Sequence, residues 1–264
     1  MATIQRRKKN KKSRKTRRKT KRTYKMKKIE DLPYELILKI INKINNIHDL
    51  EKFAKTSKTN RIIANERIQK IKKILNKKVP DFKGKIDVFN DYIKTGDIEN
   101  VKLILKYYPK YVNNEENPLM LATMEEDIDM VKLLLKYGAN PNKKTDGEHS
   151  LIYANYEITE LLLKNGANPN IKWLGNTSLI EYSDEDSIDM VKLFLKYGAD
   201  PNIKNNDGKT ALMQASKYDK IGDVIKLLLK YGAKPNLKDN EGNTALMIAE
   251  RNNNKKGIEI LKKQ

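Results

Sequence analysis

Cysteine is absent from the 264-residue chain. That excludes disulfides, thiolate nucleophiles and cysteine-bound zinc, and it points to a reducing compartment. Histidine occurs only at positions 48 and 149, too seldom for a histidine-built metal site or proton relay. No apolar run approaches the roughly 18 residues of a membrane span. Glu35 and Lys39 break the apolar stretch that follows the basic N-terminus, so neither a membrane partner nor a secretory signal is expected. No nucleophile–base pairing, phosphate-cradling glycine loop or metal-ligand spacing is present. The chain is therefore read as a binding protein with no catalytic residues, no cofactor and an intracellular location.

What is abundant is positive charge, and it is unevenly placed. The formal net charge is +21, of which residues 1–28 carry +16, residues 29–80 carry +6 and residues 81–264 carry −1. Basicity is thus a property of one end, not of the whole chain. Residues 1–28 are too charged and too poor in apolar groups to fold alone and are expected to form a disordered tail. Arg6, Arg7, Lys8, Lys9, Arg17, Arg18 and Lys19 suit a nuclear import signal, which places the chain in the nucleus or nucleolus ahead of the cytoplasm. The same field suits non-specific contact with nucleic-acid phosphates, although Tyr24 is the tail's sole aromatic and a stacking platform is lacking. A tail that serves only solubility is the third reading.

Internal repetition dominates the rest. The phrase LLLKYGANPN (133–142) returns as LLLKNGANPN (161–170), LFLKYGADPN (193–202) and LLLKYGAKPN (227–236). Gly138, Gly166, Gly198 and Gly232 are 28, 32 and 34 residues apart. Short apolar segments precede these phrases: NPLMLA, HSLIYA, TSLIEY and TALMQA, with a final TALMIA opening a truncated repeat. Thr177, Thr210 and Thr244 sit where helix N-caps are needed. The apolar runs give second helices that must be buried against neighbours. The glycines permit left-handed C-caps, and Pro141, Pro169, Pro201 and Pro235 stop each helix. Asp-Gly at 146–147 and 207–208 suits tight turns.

These residues resemble the ankyrin repeat, whose helix pair opens with Thr-Pro-Leu-His and closes before Gly-Ala-Asp. The resemblance implies an all-α solenoid of helix pairs with short hairpin loops over 81–264. About six repeats are expected, the first (from residue 87, with Tyr108-Pro109 replacing Gly-Ala) and the last degenerate. The usual histidine of the first helix is replaced by Met120, Ile152, Ile180, Met213 and Met247, so apolar packing is expected there. His149 precedes Gly166 by 17 residues, where Thr177 precedes Gly198 by 21; the third repeat lacks about one helical turn.

The family's concave face and tips are its protein-binding surface. Here that implies Lys143, Lys144, Trp173, Leu174, Asn205, Asn206, Tyr218 and Asp239 as target contacts. Trp173, the one tryptophan, is either a binding hot spot with Leu174 or packing over the shortened repeat. Acidic clusters at 125–129 and 184–189 suggest a basic target or a resting place for the basic tail; a merely solvated surface is the commoner explanation.

Residues 29–78 form another module. Pro33 suits a first helical turn, with Leu36, Ile37, Ile40, Ile41 and Ile44 at helical spacing after it. Leu32-Pro33, Glu35-Leu36, Asp49-Leu50 and Ser57-Lys58 occur in the order of the F-box, which this segment resembles, with Asn60 in place of the frequent tryptophan. F-boxes dock on the adaptor subunit of a cullin-type ubiquitin ligase. Leu32, Pro33, Leu36, Ile37, Ile40 and Leu50 are the residues this implies as contacts. A helical cap for the repeats is the alternative and compatible role. The combination is similar to F-box/ankyrin proteins of large DNA viruses. The rival is a nuclear scaffold with no link to ubiquitin.

Overall fold

The computed structural model describes residues 44, 46–56, 58–79, 84–183, 187–219 and 222–264. Among them the chain is mostly helical, with thirteen α-helices and one two-stranded hairpin. It divides into two compact units, one formed by the described residues up to Lys85 with Leu103–Pro109, the other by Ile86–Lys102 and Lys110–Gln264.

The first unit is a helical hairpin. Helix α1 (Ile47–Ala54) starts at Asn46, whose side-chain oxygen accepts from the Asp49 N–H at 2.8 Å. That cap satisfies a backbone donor that the first turn leaves unpaired. Its apolar residues Ile47, Leu50, Phe53 and Ala54 fall on one face. They are buried against Ile63, Ala64, Ile68, Ile71 and Leu75 of α2 (Lys58–Lys78), and Ile44, Leu103, Tyr107 and Tyr108 pack onto the same cluster. Asn60, at the position where a tryptophan resembling the F-box pattern would stand, is fully buried and donates to the Thr56 hydroxyl at 2.7 Å.

The second unit holds helix pairs. The first comprises α3 (Ile86–Lys94) and α4 (Ile98–Tyr107), of which the last turns belong to the first unit. A 3-10 segment, Pro109–Asn113, follows. Then come α5 (Pro118–Met124) with α6 (Ile128–Lys136), and a 3-10 turn (Ser150–Ile152) with α7 (Tyr156–Lys164). The next pairs are α8 (Ser178–Glu181) with α9 (Ile188–Lys196) and α10 (Ala211–Ala215) with α11 (Gly222–Lys230). The sixth is α12 (Ala245–Arg251) with α13 (Lys255–Leu261). The last repeat, expected to be truncated, thus has both its helices.

Why these residues form these elements is visible at equivalent positions. Leu134, Leu162, Phe194 and Leu228 each lie four residues before a repeat glycine and are completely buried. Burying each such side chain stabilises the stack by roughly 1.5–3 kcal/mol. Gly198 takes φ +86, and a Cβ there would meet nothing within 4 Å, so its requirement is conformational and not steric. Thr177, Thr210 and Thr244 cap their helices, accepting from the N–H groups of Ile180, Met213 and Met247 at 3.4 Å, long for such bonds. Apolar packing replaces the family histidine at Met120, Ile180 and Met213, all buried, whereas Met247 is exposed.

Neighbouring repeats are also joined by a ladder of asparagine clamps that the sequence reading did not anticipate. Asn113, Asn142, Asn170 and Asn202 donate their side-chain N–H groups to the carbonyls of Gly138, Gly166, Gly198 and Gly232 at 2.9, 2.8, 3.2 and 3.0 Å. Their side-chain oxygens accept from the backbone N–H groups of Asn140, Asn168, Asp200 and Lys234 at 2.8, 2.6, 2.8 and 2.8 Å. One amide thus fixes the register of the next repeat through both its atoms. Asn142, Asn170 and Asn202 each follow a repeat proline directly, which was the available signal, whereas Asn113 follows Val112.

The short third repeat departs from its neighbours in its first helix and corner. Its second helix, α7, keeps the nine residues of α6, α9 and α11, but the first helix is reduced to three residues of 3-10 turn. His149 replaces the capping threonine and makes no side-chain cap bond. It is 2 % exposed, and among the described residues neither ring nitrogen has a hydrogen-bond partner. Burial, then the positive field of Lys144, lowers its pKa from 6.5 to about 4.

Two measurements follow from this architecture. Asn202→Ala should lower stability in urea by about 1–2 kcal/mol, since it removes both clamp bonds. Asn236→Ala, at the exposed equivalent position with no such side-chain bond among the described residues, should stay within about 0.5 kcal/mol. For His149, the unfolded chain binds the proton more readily than the folded one. The neutral ring's contribution is therefore complete above pH 6.5 and lost as the pH falls toward about 4. Relative to the parent, His149→Thr should gain on the order of 1–3 kcal/mol across that window. A parent–variant difference that stays flat with pH would show that the imidazole is not buried in neutral form.

Candidate protein-binding surface

The hairpin tips and first helices divide into residues engaged within the stack and residues left outward. Lys143 belongs to the first group. It is half-buried, and its Nζ donates to the carbonyls of Asn113 (3.0 Å) and Asn114. Desolvation lowers its pKa, opposed by the charge of Glu115. Lys172 and Lys204 reach forward instead, donating to the carbonyls of Lys204 and Lys238 at 2.6 and 2.8 Å. These lysines fasten tip to tip, and Lys143, expected to contact a target, is also a link of the stack.

Asn205 and Asp239, also expected to contact a target, are engaged in turns of the stack. Asn205 accepts from the N–H groups of Asp207 and Lys209 at 3.0 and 2.9 Å and thereby closes its own turn. Asp239 is buried and accepts from the N–H groups of Glu241 and Asn243 at 3.0 and 2.8 Å. Burial pushes its carboxyl up, but the bonds from Asn243 and Glu241 and the field of Lys209 outweigh that and hold it below the ordinary carboxylate value. Short polar side chains bonding their own backbone are a turn device, and both residues serve it.

Lys144, Leu174 and Asn206 are exposed, Tyr218 is partly so, and Trp173 is half-buried. Trp173 and Leu174 lie on a two-stranded hairpin, β1 (Lys172–Trp173) and β2 (Asn176–Thr177), with Trp173 opposite Asn176. Leu174 and Gly175 make the turn with φ values of +46° and +91°. The positive φ favours glycine at 175, and a Cβ there would come within 2.3 Å of the exposed Asn206 amide, which would have to move aside. Leucine in the left-handed region is unfavourable, and Leu174 is nonetheless 77 % exposed. Asp146 holds the same turn position in the preceding hairpin with φ +53°, where a short polar side chain tolerates it.

Beside Trp173 is a cavity of about 140 Å3 over the shortened repeat. It lies between the 3-10 turn of the third repeat (Leu151, Ile152) and the hairpin and first helix of the fourth (Trp173, Ser178, Tyr182). Trp173 lines this gap beside the shortened repeat.

The acidic clusters are partly committed as well. Asp127 caps α6 by accepting from the Met130 N–H, while Asp129 and Asp189 pair with Lys132 and Lys192 at 3.5 and 3.1 Å. Glu125 and Glu126 are exposed. Residues 184–186 lie outside the described residues. So do the import candidates Arg6, Arg7, Lys8, Lys9, Arg17, Arg18 and Lys19, and the docking candidates Leu32, Pro33, Leu36, Ile37 and Ile40. Leu50, expected among the docking contacts, is completely buried in the hairpin core. Its role is internal packing, because its side chain presents no surface to a partner.

Among the described residues no helix is long and apolar enough to cross a membrane. Comparison with curated proteins gives no match. The family described as ankyrin repeats (3 copies) matches residues 90–172 and again 179–264, a module whose business is typically protein–protein interaction and not catalysis. Helix pairs, glycine C-caps and this match over more than half the chain agree: the protein belongs to the ankyrin-repeat family.

Proposed function

We propose that the chain is an adaptor whose repeats hold a target protein while the segment 29–78 docks, as an F-box, on the adaptor subunit of a cullin-type ubiquitin ligase. The observation that carries this reading is the hairpin of α1 and α2, closed by its own apolar cluster around Leu50 and Phe53. It supports a separate helical module at the place where Asp49-Leu50 matches the F-box pattern, although packing of Tyr107 and Tyr108 on the cluster also suits a cap. Leu32, Pro33, Leu36, Ile37 and Ile40 supply the docking face. Lacking cysteine, the chain forms no thioester with ubiquitin and has to recruit a ligase. The pairing of the two modules, similar to that in F-box/ankyrin proteins of large DNA viruses, favours the same conclusion.

A second reading is favoured by the charge distribution. Sixteen of the positive charges lie in residues 1–28 without a single acid, which suits an import address and non-specific contact with nucleic acid. A nuclear scaffold with no ubiquitin link would share that tail.

Changing Leu32 and Pro33 together to alanine should abolish pull-down of the cullin adaptor, since truncating anchor residues costs about 2 kcal/mol or more each. Circular dichroism should meanwhile show the repeats intact. Adaptor binding that persists in the double variant, or is absent in the parent, removes the ubiquitin reading and leaves the scaffold. A fluorescent fusion of residues 1–28 should enter the nucleus, and the chain without them should not; cytoplasmic fluorescence of the fusion would end the import role.

A further inference from the structure

The cavity beside Trp173 lies against the shortened third repeat. Its described walls are apolar at Leu151, Ile152 and Ile171, aromatic at Trp173 and Tyr182, and charged only at Glu181. His149 completes the wall as an almost fully buried ring with two nitrogens unpartnered among the described residues. Buried polar groups are nearly always hydrogen-bonded, so an unpartnered ring buried in the wall of a cavity marks this place as irregular. Leu174, held exposed at an unfavourable φ at the hairpin tip that carries Trp173, is a second unexplained feature.

We infer that this cavity is an arginine pocket, in which the guanidinium of one arginine of a partner polypeptide seats between the Trp173 ring and the Glu181 carboxylate. The inference rests on the reading that the repeats bind a protein, and it names the side chain they select. About 140 Å3 admits one long side chain and is well below the roughly 300 Å3 or more typical of small-molecule pockets. The indole face attracts a cation, arginine more often than lysine. Glu181 is exposed, and its Oε1 is oriented by the Asn176 side-chain N–H at 2.5 Å, so the carboxylate is pre-aimed for a charge-assisted bond.

The remaining walls fit the same group. Leu151, Ile152 and Ile171 cover the methylene stem, as apolar surface does for long cationic side chains. His149, neutral at physiological pH because of its lowered pKa, does not repel a cation. Burial and the neighbouring Glu181 keep the Tyr182 hydroxyl protonated by raising its pKa, and its ring is stacked on Phe194 at 5.8 Å between centroids. That stacking fixes the pocket's side wall. An acidic side chain would face Glu181 and is excluded. Leu174 then contacts an apolar residue adjacent to the arginine in the partner.

The test uses the intact chain and the fluorescence of its single tryptophan. N-acetyl-arginine N-methylamide should give a saturable change at roughly millimolar concentration, as suits one side chain. The lysine and citrulline analogues, lacking the charged fork, should bind at least about tenfold more weakly. Glu181→Gln should weaken the arginine analogue by about tenfold, with folding verified by circular dichroism. Equal responses to arginine and citrulline, a response indifferent to Glu181→Gln, or no response up to roughly tens of millimolar would each overturn the pocket. Failure of the protein-binding reading is distinct: the analogue binds as stated, supporting the pocket, while the intact chain retains no protein partner. Conversely, a target retained equally by Glu181→Gln and Trp173→Ala chains contradicts the pocket and leaves the repeats as a protein-binding surface.

Discussion

A single ankyrin helix pair cannot bury its own apolar faces, and every other feature of the repeat unit answers that constraint. Leu134, Leu162, Phe194 and Leu228 are completely buried only because another pair packs beside each. Apolar burial is non-directional, so it does not by itself fix how one repeat is set against the next. The asparagine clamps do. Each ties a loop to the backbone of the following repeat, with donor and acceptor from one amide. Lysines do the same at the tips. Part of the polar surface at the tips is thus engaged in the stack, at Lys143, Asn205 and Asp239, while Lys144 and Asn206 remain outward.

The third repeat shows how a small deletion propagates. Removing about one turn leaves α7 intact and strips the first helix to a 3-10 turn, so the layer of first helices thins at one place. The cavity beside Trp173, the uncapped His149 and the strained Leu174 all gather there. Natural sequences break local rules mainly at functional sites, and the uncapped His149 and the left-handed Leu174 are two such departures, in adjoining repeats.

Much of this was legible in the sequence because repetition exposes it. The glycine C-caps, the threonine N-caps and the buried run before each glycine could be read directly, as could the length deficit of the third repeat. The site was less legible, for a physical reason. Whether Lys143, Asn205 or Asp239 faces a partner depends on backbone groups 26 or more residues away, or on a turn closing on itself, and neither shows in a list of polar residues at tips. Leu50 illustrates the opposite case. Its place in an F-box-like order suggested a contact, while its helical spacing with Ile47, Phe53 and Ala54 already pointed to the core. The cavity was not foreseeable at all, since it needs the hairpin of one repeat to stand over the missing turn of another.

The repeats and the helical module have a joint purpose only if a protein held by one is delivered through the other. The direct measurement is the half-life, in cells making the intact chain, of the protein that the repeats retain, compared with cells making a chain without residues 29–46. The account predicts a shorter half-life with the intact chain and restoration to the untreated value when the segment is removed. An unchanged half-life, with the protein still bound to both chains, would contradict delivery to a ubiquitin ligase.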